Sequence, residues 1–252
     1  MIGSRGYCKL YDAACRIFRP ARELYFGVVE KTMGYDRSRE AEAAESASKV
    51  GDYDAVCSFL SWAFDRLAGS RVCIVGPLYD GGRGGLVGCD VVMGVEQVYL
   101  SGVKCDVVAG DMDVTHGLVL EGGVLERFRI VHVHGDNYTR VVNEARRYRR
   151  DVVFTSQAFC FWPVLGIGGF TDGDRLVLLA MGFKAREIRL LGFDFRAPKC
   201  VGKTYCDQES KSMKLELSRK LLVEYARIYG YDIIEEVVEP NVYLITLSGR
   251  IK

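Results

Sequence analysis

Apolar positions follow two different rhythms along the chain, and the change between them falls near residue 70. Before it, they recur at three and four residues. Tyr11 to Phe26 carries Phe18, Leu24, Tyr25 and Phe26 among charges with Pro20 interrupting, which predicts two short helical pieces. Gly34-Tyr35-Asp36 breaks the chain, and Asp36 is placed to cap an alanine- and glutamate-rich helix running to about Val50. Asp52 or Asp54 caps the next, in which Val56, Phe59, Leu60, Ala63, Phe64 and Leu67 form one apolar stripe before Gly69 closes it. No convincing strand is read in residues 1–68.

After Ser70 the rhythm becomes short β-branched runs: RVCIVG (71–76), DVVM (90–93), DVVA (106–109), RIVHVH (129–134), DVVFT (151–155), VLGI (164–167) and EIRLL (187–191). Helix-like segments lie between several of them, at 95–101, 138–148 and 172–183. A long helix over about 209–229 and two further strands, 232–238 and 242–248, end the chain as a candidate sheet edge. Fully apolar strands alternating with helices predict an α/β fold, a mostly parallel Rossmann-like sheet with helices on both faces. The expected organisation is a helical N-terminal region over 1–68 and an α/β nucleotide-binding region over 69–252.

Polar signatures follow directly on the apolar runs. They are Gly76-Pro77 with the glycine-rich loop 81–88, then Asp111 and Asp113, His134 to Asn137, Ser156-Gln157, Gly168 to Arg175, and Gly192-Phe193-Asp194. In an open parallel sheet all strand carboxyl ends lie along one edge, so these six groups should meet at one crevice.

Composition narrows the class. A net charge of +1 excludes a general nucleic-acid-coating surface and leaves room for a local basic pocket. The polar amino terminus lacks a signal-peptide core and the nearly apolar run 159–170 is too short to span a bilayer, so a cytoplasmic protein without a membrane partner is expected. The nine cysteines are scattered, with no Cys-x-x-Cys pair, which reads as a poor disulfide framework and a poor zinc site. Cys73 reads as a small core residue, and pairing of Cys200 with Cys206 is left open.

Among the signatures, DVVAGDMD (106–113) delivers Asp111 and Asp113 at a strand exit. Two hard anionic ligands there make a seat for Mg²⁺ shared with phosphates, although aspartate also simply ends strands in turns. In GGFTDGDR (168–175), Gly168 and Gly169 let backbone approach a ligand, Thr171 caps a helix, and that helix's first turn favours an anion. Asp172 and Asp174 serve there either as dipole partners or as metal and ligand contacts. HVHGDN (132–137) has the spacing of a zinc hydrolase pattern, but Asn137 replaces its last histidine and His116 is the only other one, so an imidazole-rich binuclear centre cannot be built. VGKT (201–204) is not a Walker A motif, because Ala197 stands where the first glycine is required. Lys203 remains a candidate phosphate contact. Lys211, Lys214 and Arg219 read otherwise as a solvated helix face.

Taken together, GDMD (110–113), HVHGDN (132–137), TSQ (155–157), GGFTDGDR (168–175), LLGFDF (190–195) and KLEL (214–217) resemble the archaeal 6-hydroxymethyl-7,8-dihydropterin diphosphokinases. The resemblance covers most of the chain from about residue 70 and extends weakly to 34–44. It implies a fold similar to the nucleotide-binding part of thiamine pyrophosphokinase. It also implies ATP- and Mg²⁺-dependent transfer of diphosphate to the pterin hydroxymethyl oxygen, with release of AMP, in archaeal pterin cofactor synthesis. Asp111, Asp113, Asp136, Asn137, Gln157, Asp172 and Asp174 are the site residues it implies. Asp111 and Asp113, helped by Asp136 or Asp172, are expected to hold one or two Mg²⁺ ions. Arg175, Lys203 and Lys214 are the expected charge stabilisers. Gly76, Pro77, Asn137, Gln157, Gly168, Gly169, Thr171, Asp174 and Asp194 are the expected contacts of ATP and the reduced pterin. The chain departs from the family in its first loops, Gly76-Pro77-Leu78 and Met93-Gly94-Val95-Glu96 standing for Gly-Pro-Ser and Ala-Asp-Gly-Ala. Two rivals share the carboxylate pattern, a metal-dependent glycosyltransferase using a nucleotide sugar and a non-catalytic nucleotide-binding module. A homo-oligomer is compatible with the sequence.

Overall fold

The computed structural model describes residues 8–82, 85–113, 126–145, 152–196, 199–201 and 207–239, with side chains to 234, and the backbone of 242–249. Strands β1 (Arg71–Val75), β2 (Val91–Val95), β3 (Cys105–Gly110), β4 (Glu126–Val133), β5 (Val152–Ser156), β6 (Leu165–Gly166), β7 (Glu187–Phe193), β8 (Tyr231–Glu239) and β9 (Val242–Gly249) form one sheet in the order β6-β5-β4-β3-β2-β1-β7-β9-β8. From β6 to β7 every neighbouring pair is parallel, and β9 runs antiparallel to both β7 and β8. The chain steps outward from β1 to β6 and then returns to β7 on the other side of β1. That reversal opens a crevice at the carboxyl ends of β1 and β7.

The expected α/β fold is thus the observed one. The differences are local. The run expected over 164–167 pairs through two residues only, because Gly168 and Gly169 both turn into the left-handed region, at φ 80° and 82°. The helix expected from residue 95 begins at Val98, since β2 continues to Val95.

Alternation along the strands separates the two faces. Val72, Ile74, Val107, Ala109, Ile130, Val153, Ile188 and Leu190 point to one side, and Cys73, Val75, Val108, Val131, Val133, Phe154 and Leu191 to the other. The first side is covered by helix α4 (Tyr53–Leu67) and helix α7 (Asp172–Gly182). The second is covered by α3 (Arg37–Ser48), α5 (Val98–Ser101) and α6 (Tyr138–Ala145). Asp36 caps α3 by accepting from Ser38 N, and Asp52 caps α4 by accepting from Asp54 N and Ala55 N.

Helix α7 is apolar on every side. Leu176, Val177, Leu178, Leu179, Ala180 and Met181 are all fully buried, because β1, β2, β3 and β7 lie beneath the helix and α8 (Gln208–Tyr229) lies across it. The remaining side is closed by the N-terminal helices. These are α1 (Lys9–Ile17) and α2, which begins at Arg19–Leu24 and continues through a π-helical turn, Tyr25–Glu30, into Lys31–Met33. Phe18 meets Phe183 edge to face at the end of α7. These helices also cover the short edge strand β6, where Arg22 Nη1 donates to Gly166 O at 2.9 Å and Tyr11 Oη donates to Val164 O at 2.6 Å.

The cysteines correct one expectation. Cys15 is bonded to Cys160, joining α1 to the loop after β5, and Cys73 is bonded to Cys89. Cys200 is disulfide-bonded as well, while Cys206 lies outside the described residues. Spacing along the chain did not reveal these pairs, because the sheet order is what brings them together. Cys73 sits in β1 and Cys89 just before β2, its parallel neighbour.

Helix α3 carries the N-terminal region to the carboxyl rim of the sheet. Two successive residues grip the Gly135 peptide: Glu40 Oε1 accepts from Gly135 N at 3.1 Å, and Arg39 Nη2 donates to Gly135 O at 2.8 Å. Burial pushes the Glu40 carboxyl up to about 7. The Gly135 N–H, Arg175 and Arg39 oppose that rise and Asp136 adds to it.

Two outcomes follow. Gly182→Ala sets a methyl group against the Phe18 ring and Ile17, so stability falls by about 1–3 kcal/mol. Equilibrium urea unfolding with an unchanged midpoint would show that α1 and α2 do not pack on α7. Glu40 has its folded pKa raised above the unfolded value. Its share of stability is therefore fully present below about pH 4.5 and lost as pH rises through about 7. Glu40→Gln should remove that dependence, worth about 3 kcal/mol across the window, as unfolding at pH 5 and pH 8 would register. Equal pH dependence in both proteins would mean that Glu40 titrates normally.

Candidate active site

Three carboxylates from three separate elements converge at the carboxyl rim. Glu96 follows β2, Asp111 follows β3 and Asp172 opens α7, and one oxygen of each lies within 4.8 Å of the other two. Glu96 is fully buried while Asp111 and Asp172 are partly exposed. Glycine at 110 permits the approach, since a Cβ there would lie 2.8 Å from Glu96 Cβ and 2.9 Å from its Cγ. The Asp-x-Asp turn is held by its middle residue. Met112 adopts φ 66°, a conformation costing a non-glycine residue about 1–2 kcal/mol, and its side chain is anchored in the core with Val131, Val133 and Val141. Asp113 N donates to Asp111 Oδ1 at 3.1 Å to close the turn. Asn137 ties β3 to β4: its Nδ2 donates to His132 O at 2.9 Å and to Asp111 O at 3.2 Å, and its Oδ1 accepts from His134 N at 2.9 Å.

On one side of this cluster lies a polar cleft of about 390 Å³, to which Asp111 contributes. Its cations are Arg140, Arg175 and Lys214, and its walls include Gln157, His134 and the rings of Tyr35 and Phe170. Arg175 is 4% exposed, donating to Asp172 Oδ1 at 2.8 Å and to Phe170 O at 3.2 Å. Arg140 Nη2 pairs with Asp113 Oδ1 at 3.1 Å. Two buried atoms of the lining residues, Gln157 Oε1 and Arg175 Nε, make no hydrogen bond among the described residues. His134 is held below its ordinary pKa, by burial first, against the pull of Asp111. Its Nδ1 accepts from Asp136 N at 3.3 Å, so the neutral ring carries its proton on Nε2 and is a donor. His132, wholly buried beside Thr155, is driven lower still by burial and by Arg175.

A smaller, mainly apolar lobe of about 90 Å³ also adjoins the cluster at Asp172, bounded by Pro77, Val95, Gln97 and the rings of Phe193 and Phe195. Helix α8 walls both spaces, with Lys214 towards the cleft and Lys211 and Leu215 towards the lobe.

The sequence-predicted residues divide accordingly. Asp111 and Asp172 stand in the cluster, whereas Asp113 and Asp136 line the cleft outside it and Glu96 takes the third place. Asp174 borders the lobe, but its Oδ1 accepts from Phe170 N and Thr171 N, and Ser218 Oγ donates to its Oδ2, so this buried carboxylate fixes the loop and completes a capping box with Thr171. Asp194 accepts from Arg196 N in a turn and lines neither space. Gly76 faces the Phe193 ring, and Gly168 and Gly169 turn the chain into α7. Lys203 lies outside the described residues. Glu96 was legible in principle, since a carboxylate directly after an apolar strand is the signature that singled out Asp111.

No protein-family model matches the chain. It is 36% identical over 129 residues to the 6-hydroxymethyl-7,8-dihydropterin pyrophosphokinase of Pyrococcus furiosus, a match covering 48% of this chain and 54% of that protein. The proteins of the same name from Methanothermobacter thermautotrophicus and Methanocaldococcus jannaschii are 30% identical over 124 residues and 28% identical over 128. Those matches cover 48% and 46% of this chain and 51% and 53% of the relatives. The similarity therefore runs to three archaeal proteins of one name, and the chain spans about half the length of each.

Proposed function

We propose that this protein is an ATP- and Mg²⁺-dependent diphosphokinase. It transfers the terminal diphosphate of ATP to the hydroxymethyl oxygen of 6-hydroxymethyl-7,8-dihydropterin, releasing AMP, within archaeal pterin cofactor synthesis. The observation that carries the reading is the Glu96, Asp111 and Asp172 cluster beside a cleft with three cationic side chains. The similarity to three proteins bearing the name of that activity supports the choice of acceptor.

The donor set fits magnesium. All three groups offer oxygen, and atoms within 4.8 Å of one another need only small side-chain shifts to share an ion that takes oxygens at about 2.1 Å. Bound there, the ion would neutralise phosphate charge and orient the chain of phosphates. The protein's own groups supply the rest. Arg140, Arg175 and Lys214 face the cleft and offset the charge of the leaving and transferred groups. His134, protonated on Nε2, donates to a phosphate oxygen. In the transfer the acceptor oxygen bonds to the β-phosphorus, the bond from that phosphorus to the oxygen bridging the α-phosphate breaks, and the hydroxyl proton passes to one of the site's aspartates. Positioning supplies most of the acceleration, since phosphoryl transfer asks little covalent help.

Incubation of the protein with ATP, Mg²⁺ and the reduced hydroxymethylpterin should yield AMP and pterin diphosphate in equal amounts. Turnover of a nucleotide sugar in place of ATP plus pterin would overturn the assignment. Asp111→Ala should lower AMP formation more than about 100-fold while thermal unfolding shifts by no more than about 4 °C. Glu96→Gln should raise the Mg²⁺ needed for half-maximal rate at least about tenfold, and an unchanged requirement would remove Glu96 from the ion's ligands.

A further inference from the structure

We propose that the small apolar lobe beside Asp172 is the acceptor subsite, seating the flat bicyclic pterin against the Phe195 ring while the polar cleft across the carboxylate cluster takes the nucleotide's phosphates. The assignment rests on the diphosphokinase reading above, and it divides the two substrates between two spaces that differ in size and polarity.

Three observations carry the division. The cleft, at about 390 Å³, falls within the roughly 300–1,000 Å³ of pockets that hold cofactor-sized ligands, and the lobe, at about 90 Å³, falls below it. A nucleotide does not fit the lobe. Three cations, Arg140, Arg175 and Lys214, line the cleft, against one, Lys211, on the lobe, so the polyanion belongs in the cleft. The lobe instead offers aromatic surface. Phe193 is wedged between backbones, as added Cβ atoms at Gly76 and Gly173 would lie 2.7 Å and 2.5 Å from its ring. Phe195 lies nearly parallel to it, at 14° with centroids 6.2 Å apart, and remains partly exposed. A fixed ring backing a parallel, accessible one is a stacking platform for a planar heterocycle.

The carboxylate cluster stands at the junction. Asp111 belongs to the cleft and Asp172 to the lobe, and Glu96 sits between Val95 and Gln97, which both line the lobe. An acceptor held in the lobe would present its hydroxymethyl group to the β-phosphorus across the carboxylate cluster, the approach that in-line displacement requires.

Phe195→Leu tests this without disturbing the wedged Phe193. The expected result is a rise of about tenfold in KM for the pterin, with KM for ATP changed less than about twofold and Phe195→Tyr restoring the pterin value. A rise in KM for ATP with the pterin value unchanged, or no change in either, overturns the subsite while AMP formation by the unaltered protein keeps the diphosphokinase reading. The second measurement is fluorescence titration of oxidised 6-hydroxymethylpterin without ATP. Quenching by the unaltered protein that is lost in Phe195→Leu supports the subsite even where no AMP is formed, an outcome that would end the diphosphokinase reading alone. Equal quenching by both proteins overturns the subsite.

Discussion

Three carboxylates held within 4.8 Å of one another repel, by roughly 3 kcal/mol for each pair at an effective dielectric of about 20. The rim of this sheet is organised to resist that force. Each carboxylate is fixed through backbone rather than through a flexible loop: Glu96 lies in the notch left by Gly110, and Asp111 sits on a turn whose strained centre, Met112, is anchored in the core. Arg175 meets Asp172 from beneath, so part of the repulsion is offset inside the protein. What remains is a preorganised attraction for a divalent cation, which binding need not assemble.

Asp172 depends on the most deeply packed helix in the described structure. Its position at the first turn of α7 places a carboxylate at the positive end of the helix dipole. The capping box of Thr171 and Asp174 removes freedom at that end. Because α7 is enclosed by the sheet, by α8 and by the N-terminal helices, a shift at its start would disturb packing on every side. The N-terminal region therefore takes part in the site twice, once by confining α7 and once through the Glu40 and Arg39 grip on Gly135. Gly135 precedes Asp136 and Asn137, and Asn137 in turn positions Asp111.

Much of this was legible in the residues. Short β-branched runs interleaved with helices identified the parallel sheet, and the rule that strand ends share one edge brought Asp111, His134, Gln157 and Asp172 into a single neighbourhood before any coordinates. What the pattern leaves open has a common cause. Period and composition report which face a residue takes, but not which of several rim residues point at one another. Glu96 was treated as a departure in an early loop, although Gly110 makes room for it. Asp113 shared a motif with Asp111, yet the left-handed Met112 between them turns it away to pair with Arg140. Asn137 and Asp174 read as ligand contacts because they are polar at the rim; they line the cleft and the lobe, and their hydrogen bonds go to backbone groups and, for Asp174, to Ser218 Oγ as well. The disulfides depend on strand order and helix docking, which spacing along the chain does not encode.

The uneven burial of the three carboxylates bears on a difficulty of any transfer from ATP, namely that water competes with the acceptor. A cluster fully open to solvent would hold its cation weakly and admit water to the phosphorus. One fully buried would leave three charges without hydration, at a cost that would protonate them instead. Here Glu96 is fully buried, and Asp111 and Asp172 open onto two different spaces. On the proposed reaction, the polar side, which carries three cations, serves a polyanion that arrives and leaves hydrated. The apolar side excludes the rival nucleophile once a flat ring fills it. The same three side chains can then hold an ion firmly and still favour transfer over hydrolysis, because the acceptor occupies the apolar space from which water would otherwise attack.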